Sequence, residues 1–121
     1  MNEAYLKGCL VKALRHEMPG SVVYRHEDQF TAGIPDISVT WREHTAWIEV
    51  KFDRPGRRAK ITPAQQLALQ QLPGILITYV LFKDGGKQTH VSGSGISGSY
   101  DGFNHGMIAK SLSYHMEGIL R

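Results

Sequence analysis

The run Ile75–Phe82 constrains this chain most. It reads Ile-Leu-Ile-Thr-Tyr-Val-Leu-Phe, carries no charge, and lies between Pro73-Gly74 and Asp84-Gly85-Gly86. It is far too short to span a bilayer, and turn residues on both sides bound it as a strand. A strand with no polar face has to be covered on both sides, so it belongs in the middle of a sheet.

The rest of the chain supplies what such a sheet needs. Leu6, Cys9, Leu10, Ala13 and Leu14 recur at helical spacing, which predicts a helix over 2–17, ended by Pro19-Gly20. Ser21–Arg25 reads as a short first strand and 28–35 as a loop. Ile37–Trp41 and Ala46–Phe52 read as a hairpin joined by Arg42-Glu43-His44-Thr45. Thr62 is placed to cap a helix with Pro63 at its first position, running to Leu72. Gln88–Ser92 is expected to be an edge strand, 93–106 a Gly/Ser-rich loop, and Ile108, Leu112, Met116 and Ile119 mark a C-terminal helix. The expected class is α/β, with helices and strands in mixed order. All 121 residues form one domain, its core at about 1–92, with the loop and last helix at 93–121.

Composition excludes little and points mildly one way. Lys and Arg outnumber Asp and Glu by 14 to 11, a net charge of +3 compatible with a polyanionic partner. The one cysteine, Cys9, has no partner for an internal disulfide and no C-x-x-C pair offers a zinc site, which fits a reducing, cytoplasmic setting. No segment reads as a membrane span or a signal-peptide core.

The chemistry concentrates in 35–51. Glu49 and Lys51 are two apart on a strand and share a face, while Ile48 and Val50 take the other. Asp36 emerges from Gly33-Ile34-Pro35 at the mouth of the preceding strand. With the turn centred between Glu43 and His44, Asp36 falls opposite Lys51 and Glu49 opposite Ser38, all on one face. Two carboxylates and an amine together can hold a divalent cation and handle a water beside it. The bland alternative is a solvated Glu/Lys pair on an exposed hairpin. Glu3, three before Leu6, lies on the inward stripe of the first helix, or simply favours the helix N-terminus. Gln65 faces the same way as Ala68, Leu69 and Leu72, but Thr62-x-x-Gln65 is also a capping box.

Gly33-Ile34-Pro35-Asp36, Glu49-Val50-Lys51 and Thr62-x-x-Gln65, in that order after a helix-borne Glu3, resemble the PD-(D/E)XK nuclease superfamily. The branch they look most like is the small stand-alone virus-type replication–repair nucleases, the VRR-NUC domain. The resemblance covers residues 3–92. It implies a restriction-endonuclease-like fold, a mixed central sheet flanked by helices, and a Mg²⁺-dependent endonuclease, with Mn²⁺ able to substitute, acting on double-stranded or branched DNA in replication, repair or recombination. It also implies that stand-alone members pair as homodimers, 93–121 being the extra contact surface.

On that resemblance Asp36 and Glu49 are direct metal ligands, since Mg²⁺ takes hard oxygen donors and keeps several waters. The backbone carbonyl of Val50 is a third ligand. Lys51 orients or helps deprotonate the attacking water. Glu3, with Glu17 the alternative acid, contacts the metal through water or supports a second ion, and Gln65 positions the scaffold or the nucleophile. Arg54, Arg57, Arg58 and Lys60, four cations within seven residues, follow the site and are placed to hold phosphates flanking the scissile bond. Two other readings stand beside this one: a non-catalytic nucleic-acid-binding or assembly module, and a subunit active only with a partner. Gly93-x-Gly95-x-x-Gly98 follows a strand, but no βαβ unit remains after it for a dinucleotide site.

Overall fold

Asn2 starts the first helix. Its side chain accepts a hydrogen bond from the Tyr5 N–H at 2.9 Å, satisfying one of the open donors of α1 (Glu3–Glu17). The computed structural model describes residues 2–26, 34–53, 62–64, 67, 71, 76–84, 87–93 and 96–119. Leu6, Leu10 and Leu14 of α1 are fully buried, and each removes enough apolar surface from water to contribute about 1.5–3 kcal/mol. Val11 joins this stripe, whereas Cys9 is only half-buried, so the buried face is rotated slightly from the expected one. The chain then forms β1 (Val22–Arg25), β2 (Ile37–Trp41), β3 (His44–Asp53), β4 (Leu76–Lys83), β5 (Gln88–Gly93), β6 (Ile96–Asp101) and α2 (His105–Ile119). Pro63, Ala64, Leu67 and Gln71 carry helical backbone where the sequence predicts a helix.

The six strands lie in chain order in one mixed sheet. β1–β2–β3 and β4–β5–β6 are antiparallel meanders, and β3 and β4 join them in parallel. The apolar run is thus an inner strand, as its lack of a polar face requires. Ile37, Val39, Trp41, Ala46, Ile48 and Val50 are buried on one face, in a single cluster with α1 and with Ile108, Ala109, Leu112 and Met116 of α2. Phe103 sets its ring edge-on to Phe52 and Phe82, at 6.0 and 5.8 Å, sealing the corner where the sheet meets α2.

Two expectations about the sheet need correction. Residues 96–101 are not loop: they form β6, which makes β5 an inner strand and β6 the edge. β6 is Ser/Gly-rich and has little strand propensity of its own. Pairing along β5 and the hydrogen bond between the Tyr100 and Ser111 hydroxyls, 2.9 Å, hold it in place. The core also extends past residue 92, because α2 turns four apolar side chains into it.

The β2–β3 register is two residues from the expected one. Trp41 pairs with His44 and Ile37 with Ile48, so the turn is the two-residue Arg42-Glu43 rather than a four-residue loop. Both have positive φ, 51° and 72°, the geometry of a type I′ turn, which Asn-Gly ordinarily supplies. A shift of two keeps every side chain on its own face but changes who faces whom. Glu43→Gly should relieve the left-handed strain and stabilise the fold by roughly 1 kcal/mol, after the entropy cost of glycine. Urea unfolding would show it as a raised midpoint at unchanged m-value; a lowered midpoint would count against this turn geometry.

Candidate active site

β2 begins at Ile37, one rung after the position where the acids meet. In the observed register Asp36 lies across from Glu49, and Lys51 sits diagonally beyond it. Asp36 takes over from the missing rung: its Oδ2 accepts from the Val50 N–H at 2.8 Å, and its carbonyl accepts from the His26 N–H at 2.8 Å. The backbone on both sides therefore fixes this carboxylate. A strand residue sends its N–H and C=O to the same side, so the Val50 carbonyl leaves β3 at the same edge, past the last rung of β2.

Glu49 is 2 % exposed on a face whose other β3 members are partly exposed. Burial first, and then the hydrogen bond and charge of Asp36, push its carboxyl well above the usual carboxylate range, to about 8; Lys51 and Lys7 pull it down less strongly. Lys51 Nζ stands 3.8 Å from Glu49 Oε1. Asp36, Glu49 and Lys51 are thus brought together as the residue types suggest, with the carboxylates rather than Asp36 and Lys51 directly opposed.

Lys7 completes the group, and the sequence pattern alone did not single it out. Its ammonium lies 2.8 Å from Asp36 Oδ1 and 3.3 Å from Glu3 Oε1. Burial alone would lower the Lys7 pKa, but its bonds to Asp36 and Glu3 outweigh that and raise it. Among the described contacts Glu3 meets the site through Lys7, beside the opposed acid pair. The signal available was the Glu3-x-x-x-Lys7 spacing, one helical turn with the acid first. On the same face, Ser38 Oγ and His26 Nε2 share a 2.7 Å hydrogen bond, and the His26 ring lies 5.5 Å from that of Trp47. Gln65, Arg54, Arg57, Arg58 and Lys60 lie outside the described residues.

Among the described residues no three or more His, Cys, Asp or Glu side chains converge as a metal cluster. The opposed pair still fits Mg²⁺, which needs only one or two carboxylates and completes its shell with waters. Burial is the main cause of the upward push on Glu49, with Asp36 next, and a cation brought to the pair would favour its charged form. Among the described residues no helix is long and apolar enough to cross a membrane. Comparison with protein-family models, curated proteins and solved structures gave no match to this chain.

Proposed function

We propose that this chain is a divalent-metal-dependent nuclease that hydrolyses DNA phosphodiester bonds, built on a restriction-endonuclease-like fold of the PD-(D/E)XK type. The observation that carries the proposal is the opposition of a buried Glu49 and a partly exposed Asp36 with Lys51 on the same face. A helix, an antiparallel three-strand meander and a parallel fourth strand beside β3 support the fold assignment. An ordinary solvated Glu/Lys pair does not account for Glu49, since burying a carboxylate beside another carboxylate is unfavourable without a compensating cation or proton.

Asp36 and Glu49 would hold Mg²⁺, with the Val50 carbonyl at the same edge. What Mg²⁺ supplies when bound is Lewis-acid polarisation of the phosphoryl group and a more acidic water. Lys51, on the Glu49 side, orients the attacking water and offsets the negative charge that builds on phosphorus. The water oxygen forms the new P–O bond, the ester P–O bond breaks, and the released oxygen takes up a proton. Lys7 holds Asp36 in orientation from the other side. The expected preference is for DNA structure over sequence, since contacts to phosphates carry no base information.

The test is cleavage of a panel of supercoiled, linear, nicked, flapped and four-way DNA. Cutting should require Mg²⁺ or Mn²⁺, and Lys51→Ala should abolish it with the circular dichroism spectrum unchanged. Full activity in EDTA, or in the Lys51→Ala protein, would overturn the proposal. A folded, metal-binding protein that cuts nothing in the panel would favour the non-catalytic module.

A further inference from the structure

A second feature lies beside the acid pair and takes no part in it. Between α1 and β1 runs an open groove of about 320 Å³, lined among others by Gly8, Lys12, Arg15, Tyr24 and Arg25. Three of these are cations and no lining residue is acidic. Arg15 is fixed along the wall, its Nη2 donating to the Val23 carbonyl at 3.1 Å, and a guanidinium has further N–H donors to offer. Gly8 keeps the floor open: a β-carbon there would lie 3.6 Å from Arg25 Nη1, so a larger side chain would fill the space.

Chain neighbours link the groove to the acid pair on both of its walls. Gly8 follows Lys7, whose ammonium holds Asp36 at 2.8 Å. Arg25 precedes His26, whose backbone N–H donates to the Asp36 carbonyl at 2.8 Å. On both elements the groove and the groups that hold Asp36 are thus one residue apart along the chain, with Arg25 on the rung of Ile37 and His26 turned to the side of Ser38. The groove is open, and three cations carried on two elements offer the successive charges of a polymer more than one contact.

We propose that the α1–β1 groove is a backbone-phosphate track, in which Lys12, Arg15 and Arg25 hold phosphates of the nucleic-acid strand next to the scissile bond. The identity of the polyanion rests on the nuclease reading; the basic groove itself does not. These interactions are electrostatic and independent of sequence, so they set affinity and register and carry no base information.

Fluorescence anisotropy of labelled single-stranded and duplex oligonucleotides in EDTA tests this without cleavage. The double variant Lys12→Gln, Arg25→Gln should bind about tenfold more weakly near physiological salt. Its plot of log affinity against log salt should be shallower by about 1.4–1.8, from about 0.7–0.9 for each phosphate that is no longer neutralised. Gly8→Leu should weaken binding by filling the groove, and its fold is protected because leucine favours a helix more than glycine does. Wild type that does not bind, or variants with unchanged slope and affinity, would overturn the proposal. So would displacement of the oligonucleotide by inorganic phosphate at matched ionic strength, which would make the groove a single-anion pocket. If wild type cuts DNA with metal but the groove variants bind as it does, the track fails and the nuclease reading survives. If the groove variants lose affinity while no metal-dependent cutting occurs, the nuclease reading fails alone.

Discussion

Asp36→Asn is expected to eliminate cleavage, by about 10³-fold or more, while leaving the protein folded. The loss is large because the substitution removes one of two opposed carboxylates that would hold the metal, and preorganised charge is usually the largest catalytic term. Folding should survive because the Asn amide oxygen can still accept from the Val50 N–H, as Asp36 Oδ2 does at 2.8 Å. The second consequence needs no substrate. Lys7 loses the charge of its 2.8 Å partner, and Glu49 loses the neighbour that helps to push it up to about 8. The Glu49 pKa should therefore move back toward its ordinary value in the folded variant. Single-turnover cleavage and a pH titration of unfolding together check both halves. A variant that keeps more than about a tenth of wild-type cleavage would be incompatible with a metal held by this pair.

The second large effect is on stability against pH. Folding raises the Glu49 pKa from an ordinary 4.5 to about 8, through burial first and the Asp36 hydrogen bond and charge next. Between those values the folded protein holds a proton that the unfolded chain has released. The contribution is therefore fully present below about 4.5, falls as pH rises, and is lost above about 8. The slope in that window is about 1.4 kcal/mol per pH unit for one proton. Urea unfolding in EDTA should show wild type losing stability relative to Glu49→Gln across this window, since glutamine stays neutral throughout. Added Mg²⁺ at pH 8 should restore wild type and leave Glu49→Gln little changed, because bound metal stabilises only the state that binds it. Parallel pH curves for the two proteins would show that Glu49 does not carry the raised pKa.

Much of the sheet was legible because strand periodicity is written in the side chains. Ile37-Ser-Val-Thr-Trp alternates cleanly, and Ile75–Phe82 has no polar face to alternate with. β6 was not legible, since Ser97, Gly98 and Ser99 carry no strand signal and are held by pairing to β5. The turn misled for a related reason: Arg42-Glu43 lacks the glycine or asparagine that marks a two-residue type I′ turn, and the sheet imposes the left-handed conformations anyway. The facing of Asp36, Glu49 and Lys51 survived the error because a shift of two residues preserves faces. Lys7 was missed because its partner Asp36 comes to it through tertiary packing, and no local spacing between residues 7 and 36 records that.

The parallel join between β3 and β4 divides the molecule's responsibilities. The described side chains that hold the acid pair, Glu3, Lys7, His26, Ser38 and Lys51, come from α1, the first meander and the ends of its strands. The second meander meets the pair as backbone, with Tyr79 of β4 on the rung of Glu49 and Leu81 on that of Lys51. Among the described residues its influence reaches the acid pair through the β3–β4 rungs from Ala46 to Asp53 and the packing of α2 against α1. The second half of the sheet thus works as a chassis: it clamps β3 from the far side along eight rungs, while the acids themselves are held from the first half.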